Sequence, residues 1–199
     1  MIELPLFPLK TVLFPGNSLS LKIFEPRYVD MIANCMRNDS PFGVILIFNG
    51  EETQSDSDIY SIGTTANISG WQDRADGLLG ITAQGIKRFE IQSTETRSNG
   101  LTVAKATILE DETSQKIPEQ YSYMQELLEH ISIQEGKKPN QQADFTEILY
   151  QLIYLLPLDS NLKQRLLEIP YSNDRAVILH AELIRLGVIQ YVKPDQAVE

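Results

Sequence analysis

The sequence has few of the residues that build disulfides and metal sites. Its 199 residues include one cysteine, Cys35, and two histidines, His130 and His180. A single cysteine cannot form an internal disulfide, and a structural zinc site needs about four Cys or His ligands at set spacings. The composition therefore excludes a disulfide scaffold, argues against a zinc site and suits a reducing compartment.

Long apolar runs and an excess of positive charge are also missing. No apolar run approaches the ~20 residues that cross a bilayer, and residues 1–5 lack the basic and apolar regions of a secretory signal. The chain carries 17 basic against 27 acidic residues, a formal net charge of -10. Binding to a phosphate backbone is driven by Lys and Arg, so this balance opposes it. We expect a cytoplasmic protein with no membrane association and no nucleic-acid partner.

Common catalytic and cofactor motifs are absent as well. A phosphate-binding loop would need glycine five residues before Gly136, where Ile131 stands, and no G-x-S-x-G elbow occurs. Cys35 lies beside Ile32 and Met36 on the apolar side of a predicted helix, where a thiol packs as a small hydrophobic group with a raised pKa. We predict no cofactor, no metal and no catalytic residue. A hydrolase using Cys35 or an acidic pair is the least supported alternative.

Short strands separated by Pro, Gly and Asn fill the first 112 residues. The apolar or alternating runs predict strands over residues 4–7, 19–23, 42–48, 59–68, 78–82, 86–91 and 101–109, with Gly70, Gly77 and Gly85 at joints between them. Closure removes exposed sheet edges, so the pattern favours a closed or nearly closed antiparallel barrel. One helix interrupts it near residues 26–37, because Pro26 suits a first helical turn.

Helical periodicity replaces the strand pattern after residue 112. Helix starts are predicted near Pro118, Asp144, Asp159 or Ser160, and Ser172 or Asn173, with Gly187 as a terminator. The chain is thus predicted to be α+β, with a β pseudobarrel over residues 1–112 and a helical bundle over 113–199 that ends in a mobile tail. The polar stretches 51–58 and 134–142 are predicted to be mobile linkers.

A series of short motifs in this order resembles the N-terminal substrate-recognition domain of the ATP-dependent Lon protease. The motifs begin with Pro-Leu-Phe-Pro-Leu at residues 5–9, Phe-Pro-Gly at 14–16 and Leu-Lys-Ile-Phe-Glu-Pro-Arg-Tyr at 21–28. Further matches follow at residues 42–44, 62–68, 76–78, 85–89 and 162–168. The resemblance runs from residue 2 to about residue 186, nearly the whole chain.

This resemblance implies a PUA-like β pseudobarrel followed by helices, and a domain that recognises polypeptides without cutting them. The sequence printed here reaches Glu199 without an ATPase module or a serine–lysine protease module. We therefore expect a non-enzymatic module that binds unfolded or apolar protein segments, in company with a protease or chaperone system. RNA binding is the alternative, because PUA-like barrels often serve it. The family offers no strict motif that would transfer binding residues.

Three aromatic residues are the predicted contacts for such a protein segment: Phe14, Tyr28 and Trp71. Trp71, the only tryptophan, follows Gly70 in what the pattern predicts to be a polar loop, where its ring could anchor a partner. The alternative is that Trp71 closes one end of the barrel. Glu25 and Arg27 flank Pro26, and we expect them to lock the corner between strand and helix.

Overall fold

A nearly continuous sheet curls into a barrel in the computed structural model of the chain, which describes residues 1–52, 58–73, 78–110, 112, 114–134, 136 and 142–189. Within these residues the sheet has seven strands: β1 (Ile2–Leu9), β2 (Ser18–Ile23), β3 (Phe42–Asn49), β4 (Asp58–Ile59), β5 (Ile62–Asp73), β6 (Leu79–Thr96) and β7 (Thr102–Ile108). Their order is β1-β7-β6-β5-β3-β4, with β2 on β6. The predicted pseudobarrel is confirmed.

Barrel closure depends on a parallel pair inside a sheet that is otherwise antiparallel. Strands β1 and β3 pair in register from Leu6 with Gly43 to Leu9 with Leu46. A parallel pair needs a long crossover connection, and residues 10–41, with β2 and the first helix, supply it. The sequence predicts a helix within the strand pattern but does not explain it. The crossover explains it, because the helix is part of the connection between the two parallel strands.

The predicted break at Gly85 is wrong, because β6 runs unbroken through it. Gly85 is instead required by close packing: a Cβ atom there would overlap the carbonyl oxygen of Phe14. The Gly85 amide donates to the Asn17 carbonyl at 2.9 Å, and the Gly16 amide donates to the Gly85 carbonyl at 3.0 Å. Glycine in this strand therefore marks a close backbone approach, not a turn.

Helix α1 (Pro26–Asn38) covers one side of the barrel. It begins with Pro26 in its first turn and ends at Asp39, whose φ of 46° lies in the left-handed region. Its buried side chains, including Tyr28, Ile32 and Cys35, pack with Phe7 and other strand residues in one apolar cluster. The predicted helix and its apolar face are confirmed.

Four helices follow the barrel: α2 (Ser122–Gln134), α3 (Phe145–Leu155), α4 (Ser160–Glu168) and α5 (Ser172–Arg185). A short 3-10 turn, Glu119–Tyr121, precedes α2. Asp144 and Glu147 form a capping box at the start of α3, and Asp159 accepts from the Leu162 amide at the start of α4. The sequence predicts both of these helix starts, and α5 also begins at Ser172 as predicted, without a side-chain hydrogen bond at its N-cap. The predicted C-terminal tail over 190–199 lies outside the described residues.

The helices and the sheet share one apolar core. Val12, Phe14 and Leu46 from the sheet region pack in the same cluster as the buried faces of the helices. A polar contact also links the two parts: the Gln164 side chain donates a hydrogen bond to the Ile62 carbonyl at 2.8 Å. The division at residue 112 stays a prediction, and the two parts it separates are packed together.

A fully buried arginine organises the interior of the helical part. Arg175 on α5 donates through Nε to the Leu166 carbonyl at 2.8 Å and through Nη2 to the Ile169 carbonyl. Its guanidinium carbon lies 4.5 Å from the centroid of the Tyr150 ring. Because helix α4 ends here, the arginine binds carbonyls that have no partner within the helix.

No helix within the described residues is both long and apolar enough to cross a membrane.

Candidate functional site

Trp71 stands on a strand, so its predicted position in a polar loop is wrong. Strand β5 continues through Gly70 to residue 73 and pairs Trp71 with Ile81 of β6. An irregularity in register between Ile68 and Gly70 precedes it. Such an irregularity bends a strand and redirects the side chains that follow. The Trp71 ring is 60% exposed, which excludes it from closing the barrel end.

Two concavities flank the exposed ring. One, of about 340 Å³, lies on the sheet face, where Trp71 and Gln72 of β5 meet residues of β2 and β6; its other linings are Ser20, Leu21, Lys22, Gly70, Gly80, Ile81 and Thr82. The second, of about 200 Å³, lies along the edge of β5 beside the end of α1; it is lined by Cys35, Met36, Asp39, Ser40, Asn67, Ile68, Ser69 and Gly70. We call Trp71 and these two concavities the Trp71 surface.

The Trp71 surface is lined by apolar and polar residues together. Met36 is 42% exposed on the helix side, and Ile68 is half-buried on the strand side. Lys22 supplies a cationic group and Asp39 an anionic one. An exposed tryptophan beside mixed apolar and polar groups is a composition found in contact sites of protein interfaces.

Tyr28 is a buried residue at the start of α1. It is 5% exposed and stacks on Phe7, with ring centroids 4.2 Å apart and planes at 22°. The Arg27 guanidinium lies 4.6 Å from the Tyr28 centroid on its ring face. Burial raises the pKa of Tyr28 to about 12, which keeps the phenol neutral. Tyr28 lines a third cavity, beside β2, and we expect any contact with a ligand to occur there.

Phe14 is fully buried and does not reach the surface. Its ring packs in the core shared with the helices, 5.6 Å from the Tyr150 centroid. Its carbonyl accepts a hydrogen bond from the Asn17 amide at 3.1 Å. The structure thus gives Phe14 a packing role and does not bring the three predicted contacts into one patch.

The corner between β2 and α1 is locked as the sequence predicts. Arg27 Nε lies 2.9 Å from Glu25 Oε2, and Arg27 Nη1 donates to the Gly100 carbonyl at 2.8 Å. Arg27 is 8% exposed, so both bonds are largely shielded from water. This pair fixes the start of α1 and serves the fold.

Comparison with known proteins decides the family. The family described as the ATP-dependent protease La (LON) substrate-binding domain matches residues 3–185. The chain belongs to this family. Among solved structures, a Lon N-terminal domain protein from Xanthomonas campestris is similar with a TM-score of 0.78 and 29% identity, covering 91% of this chain and 98% of that one.

Other relatives extend the same picture. The N-terminal domain of a Mycobacterium avium complex Lon protease shares the fold with a TM-score of 0.66 at 15% identity, over 96% of this chain and 100% of that one. Lon protease 1 of Hydrogenovibrio crunogenus is 27% identical over 82% of this chain and 21% of its own length. Protein cereblon of Gallus gallus is 31% identical over 53% of this chain and 24% of its length. This LON substrate-binding domain thus spans a quarter or less of these two relatives.

Cys35 and the two histidines of this LON substrate-binding domain lie on three different helices, and each contacts a neighbouring residue. Cys35 is buried, and burial raises the pKa of its thiol, so the reactive thiolate is disfavoured. His180 Nδ1 lies 2.6 Å from the Tyr123 hydroxyl, and His130 lies 3.1 Å from the Gln134 amide nitrogen. No cluster of three or more Cys, His, Asp or Glu side chains able to hold a metal occurs in the described part of the chain.

Several residues of the Trp71 surface were missed from the sequence. Gly70 was interpreted only as a joint between strands, yet it lines the concavity on the sheet face. Met36 was assigned to packing and is partly exposed beside β5. Sheet pairing brings these residues together from distant positions, and no local pattern signals it.

Proposed function

We propose that this LON substrate-binding domain is a non-enzymatic module that binds unfolded polypeptide segments, with the Trp71 surface as the contact site. The observation that carries the proposal is the exposure of Trp71, at 60%, between two concavities. Tryptophan buries a large area when a partner covers it and is enriched among residues that dominate binding energy.

The surface suits apolar side chains carried by a chain of varied sequence. The concavity on the sheet face has similar amounts of polar and apolar lining. Its lining includes small residues, which let a backbone approach closely. Burial of apolar side chains supplies affinity without requiring one sequence. The formal net charge of -10 favours segments with basic residues over acidic ones.

The biological setting we propose follows from the relatives. Proteins whose names include Lon protease and cereblon share this domain over part of their length. We infer that the module presents polypeptides to a protease or chaperone system in a reducing cytoplasm, which suits its one buried thiol.

Fluorescence anisotropy with reduced and alkylated lysozyme, a basic protein kept unfolded, tests the proposal. We expect saturable binding by the wild type, and a loss of affinity of about tenfold or more in Trp71→Ala. Tyr171→Ala is the matched control, because Tyr171 is 59% exposed on the helical part. A single-stranded RNA oligomer should not bind. Equal affinities for the two variants, or preferential binding of the RNA, would contradict the proposal.

A further inference from the structure

Strand β2 has one edge that pairs with no other strand in the described residues. It pairs with β6 in register from Ser18 with Gln84 to Ile23 with Leu79, and it has no second paired strand in the part of the chain that the structure describes. An unpaired edge presents a row of backbone donors and acceptors that can hydrogen-bond another extended chain.

The register shows which backbone groups of β2 point outward. The Gly85 amide donates to the Asn17 carbonyl, and bonded and non-bonded pairs alternate along an antiparallel ladder. The odd-numbered residues of β2 therefore bond to β6, and the even-numbered ones direct their N–H and C=O away. The Tyr154 hydroxyl donates to the Ser18 carbonyl at 2.8 Å, which agrees with this assignment. The outward groups of Ser20 and Lys22 remain for a partner.

An apolar groove of about 250 Å³ runs along the same edge. Consecutive residues from Ser20 to Glu25 line it. The lining includes β2 and no residue of β6, so the cavity lies on the side of β2 that faces away from β6. Phe7, Leu9 and Tyr28 form the other wall. We call this cavity the β2 groove.

The walls of the β2 groove are preformed and include three charged residues, Lys22, Glu25 and Glu52. Phe7 and Leu9 are 6% and 5% exposed, and Phe24 projects at its mouth with 59% exposure. The carboxylate of Glu25 is committed to Arg27, and that of Glu52 accepts from the Lys10 amide at 2.6 Å. The groove is smaller than the ~300–1,000 Å³ of small-molecule sites, so it suits individual side chains of a longer ligand.

We propose that the β2 groove takes an extended segment of another protein, which adds as a further strand beside β2 and packs alternate apolar side chains against Phe7, Leu9 and Tyr28. Strand addition draws affinity from backbone hydrogen bonds and selectivity from the alternate side chains. The net charge of -10 favours basic residues flanking the segment. For the class of partner, this inference rests on the proposed function. It adds a second binding place on the protein and an extended conformation for the bound segment.

Alternating valine–threonine peptides flanked by lysines test the strand geometry. One fluorescein-labelled parent is compared with two forms that carry N-methyl groups on alternate amides, on the valines in one and on the threonines in the other. Only one edge of the added strand faces β2, so one methylated form should lose about tenfold or more in affinity while the other binds like the parent. No binding by the parent, or equal binding by all three peptides, would overturn the proposal.

Ser20→Pro and Ser20→Ala provide a matched pair of protein variants. Proline removes the outward N–H of Ser20 and spares the bonds to β6, as at natural edge strands, whereas alanine keeps the N–H. We expect Ser20→Pro to bind the parent peptide about tenfold more weakly than Ser20→Ala, because both variants lose the hydroxyl and only proline also loses the N–H. Amide exchange at Lys22 should slow on binding. If Ser20→Pro does not fold, the affinities of the methylated peptides and the amide exchange rate of Lys22 test the proposal.

The outcomes separate this inference from the proposed function. Binding that requires Trp71 but shows no difference between the methylated peptides overturns strand addition and leaves the Trp71 surface standing. A difference between the methylated peptides without dependence on Trp71 supports strand addition and removes the Trp71 surface. A concentration-dependent dimer of the protein that Ser20→Pro abolishes would assign the edge to a second copy and overturn the proposal.

Discussion

Arg88 on strand β6 donates a hydrogen bond from Nη1 to the Leu167 carbonyl, 3.0 Å away at the end of helix α4. The same nitrogen lies 3.2 Å from the Ile169 carbonyl, and Arg88 is 3% exposed. The last carbonyls of a helix have no partner within it and carry its negative dipole end. The barrel therefore supplies the C-terminal cap of a helix in the other part of the chain.

Replacement of Arg88 should loosen the contact between barrel and helices. We expect Arg88→Met to lower the free energy of unfolding by about 2–3 kcal/mol, because two buried carbonyls lose a charged donor. Urea unfolding measures the change. Lys87→Met is the control, since Lys87 is exposed on the same strand and its ion pair with Glu110 is on the surface. Equal stability of the two variants would contradict the capping role.

Gly85 should tolerate no side chain although it lies within a strand. We expect Gly85→Ala to lower the free energy of unfolding by about 2 kcal/mol, because the new Cβ overlaps the Phe14 carbonyl. Gly70→Ala should change it by less than about 0.5 kcal/mol, since its Cβ would lie 3.8 Å from Thr82 Oγ1. Urea unfolding of both variants checks the contrast, and a similar loss in each would refute it.

Tyr28 should contribute to a loss of stability at alkaline pH. Its pKa is raised from 10.0 to about 12 by burial, so between these values the unfolded state releases a proton that the folded state keeps. Stability therefore falls as pH rises through this window. Tyr28→Phe lacks this titration. From pH 10 to 12 the free energy of unfolding of the variant should therefore fall by about 2 kcal/mol less than that of the wild type. Parallel curves for wild type and variant would disprove the assignment.

Local signals predicted much of the fold. Pro26 and Asp39 bound α1, and the Asp144 and Asp159 caps mark two later helices, because capping and turn chemistry act within a few residues. The burial of Cys35 followed from helical periodicity. Gly85 misled the strand assignment, because glycine serves a close backbone approach and a turn equally well.

The candidate site was less predictable. Phe14 and Trp71 have a similar local character, because each is a large ring within two residues of a glycine, yet one is fully buried and the other 60% exposed. Long-range sheet pairing decides between them. The free edge of β2 likewise depends on which strands become neighbours, and a strand pattern alone does not contain that information.

The fluorescence of Trp71 gives the most direct test of the central claim, because it is the only tryptophan in the chain. On titration with reduced lysozyme whose cysteines are alkylated and whose tryptophans are chemically oxidised to silence their emission, the Trp71 emission should shift to shorter wavelength and saturate as the ring leaves water. An emission spectrum unchanged at saturating, independently measured binding would contradict the Trp71 surface as the polypeptide site.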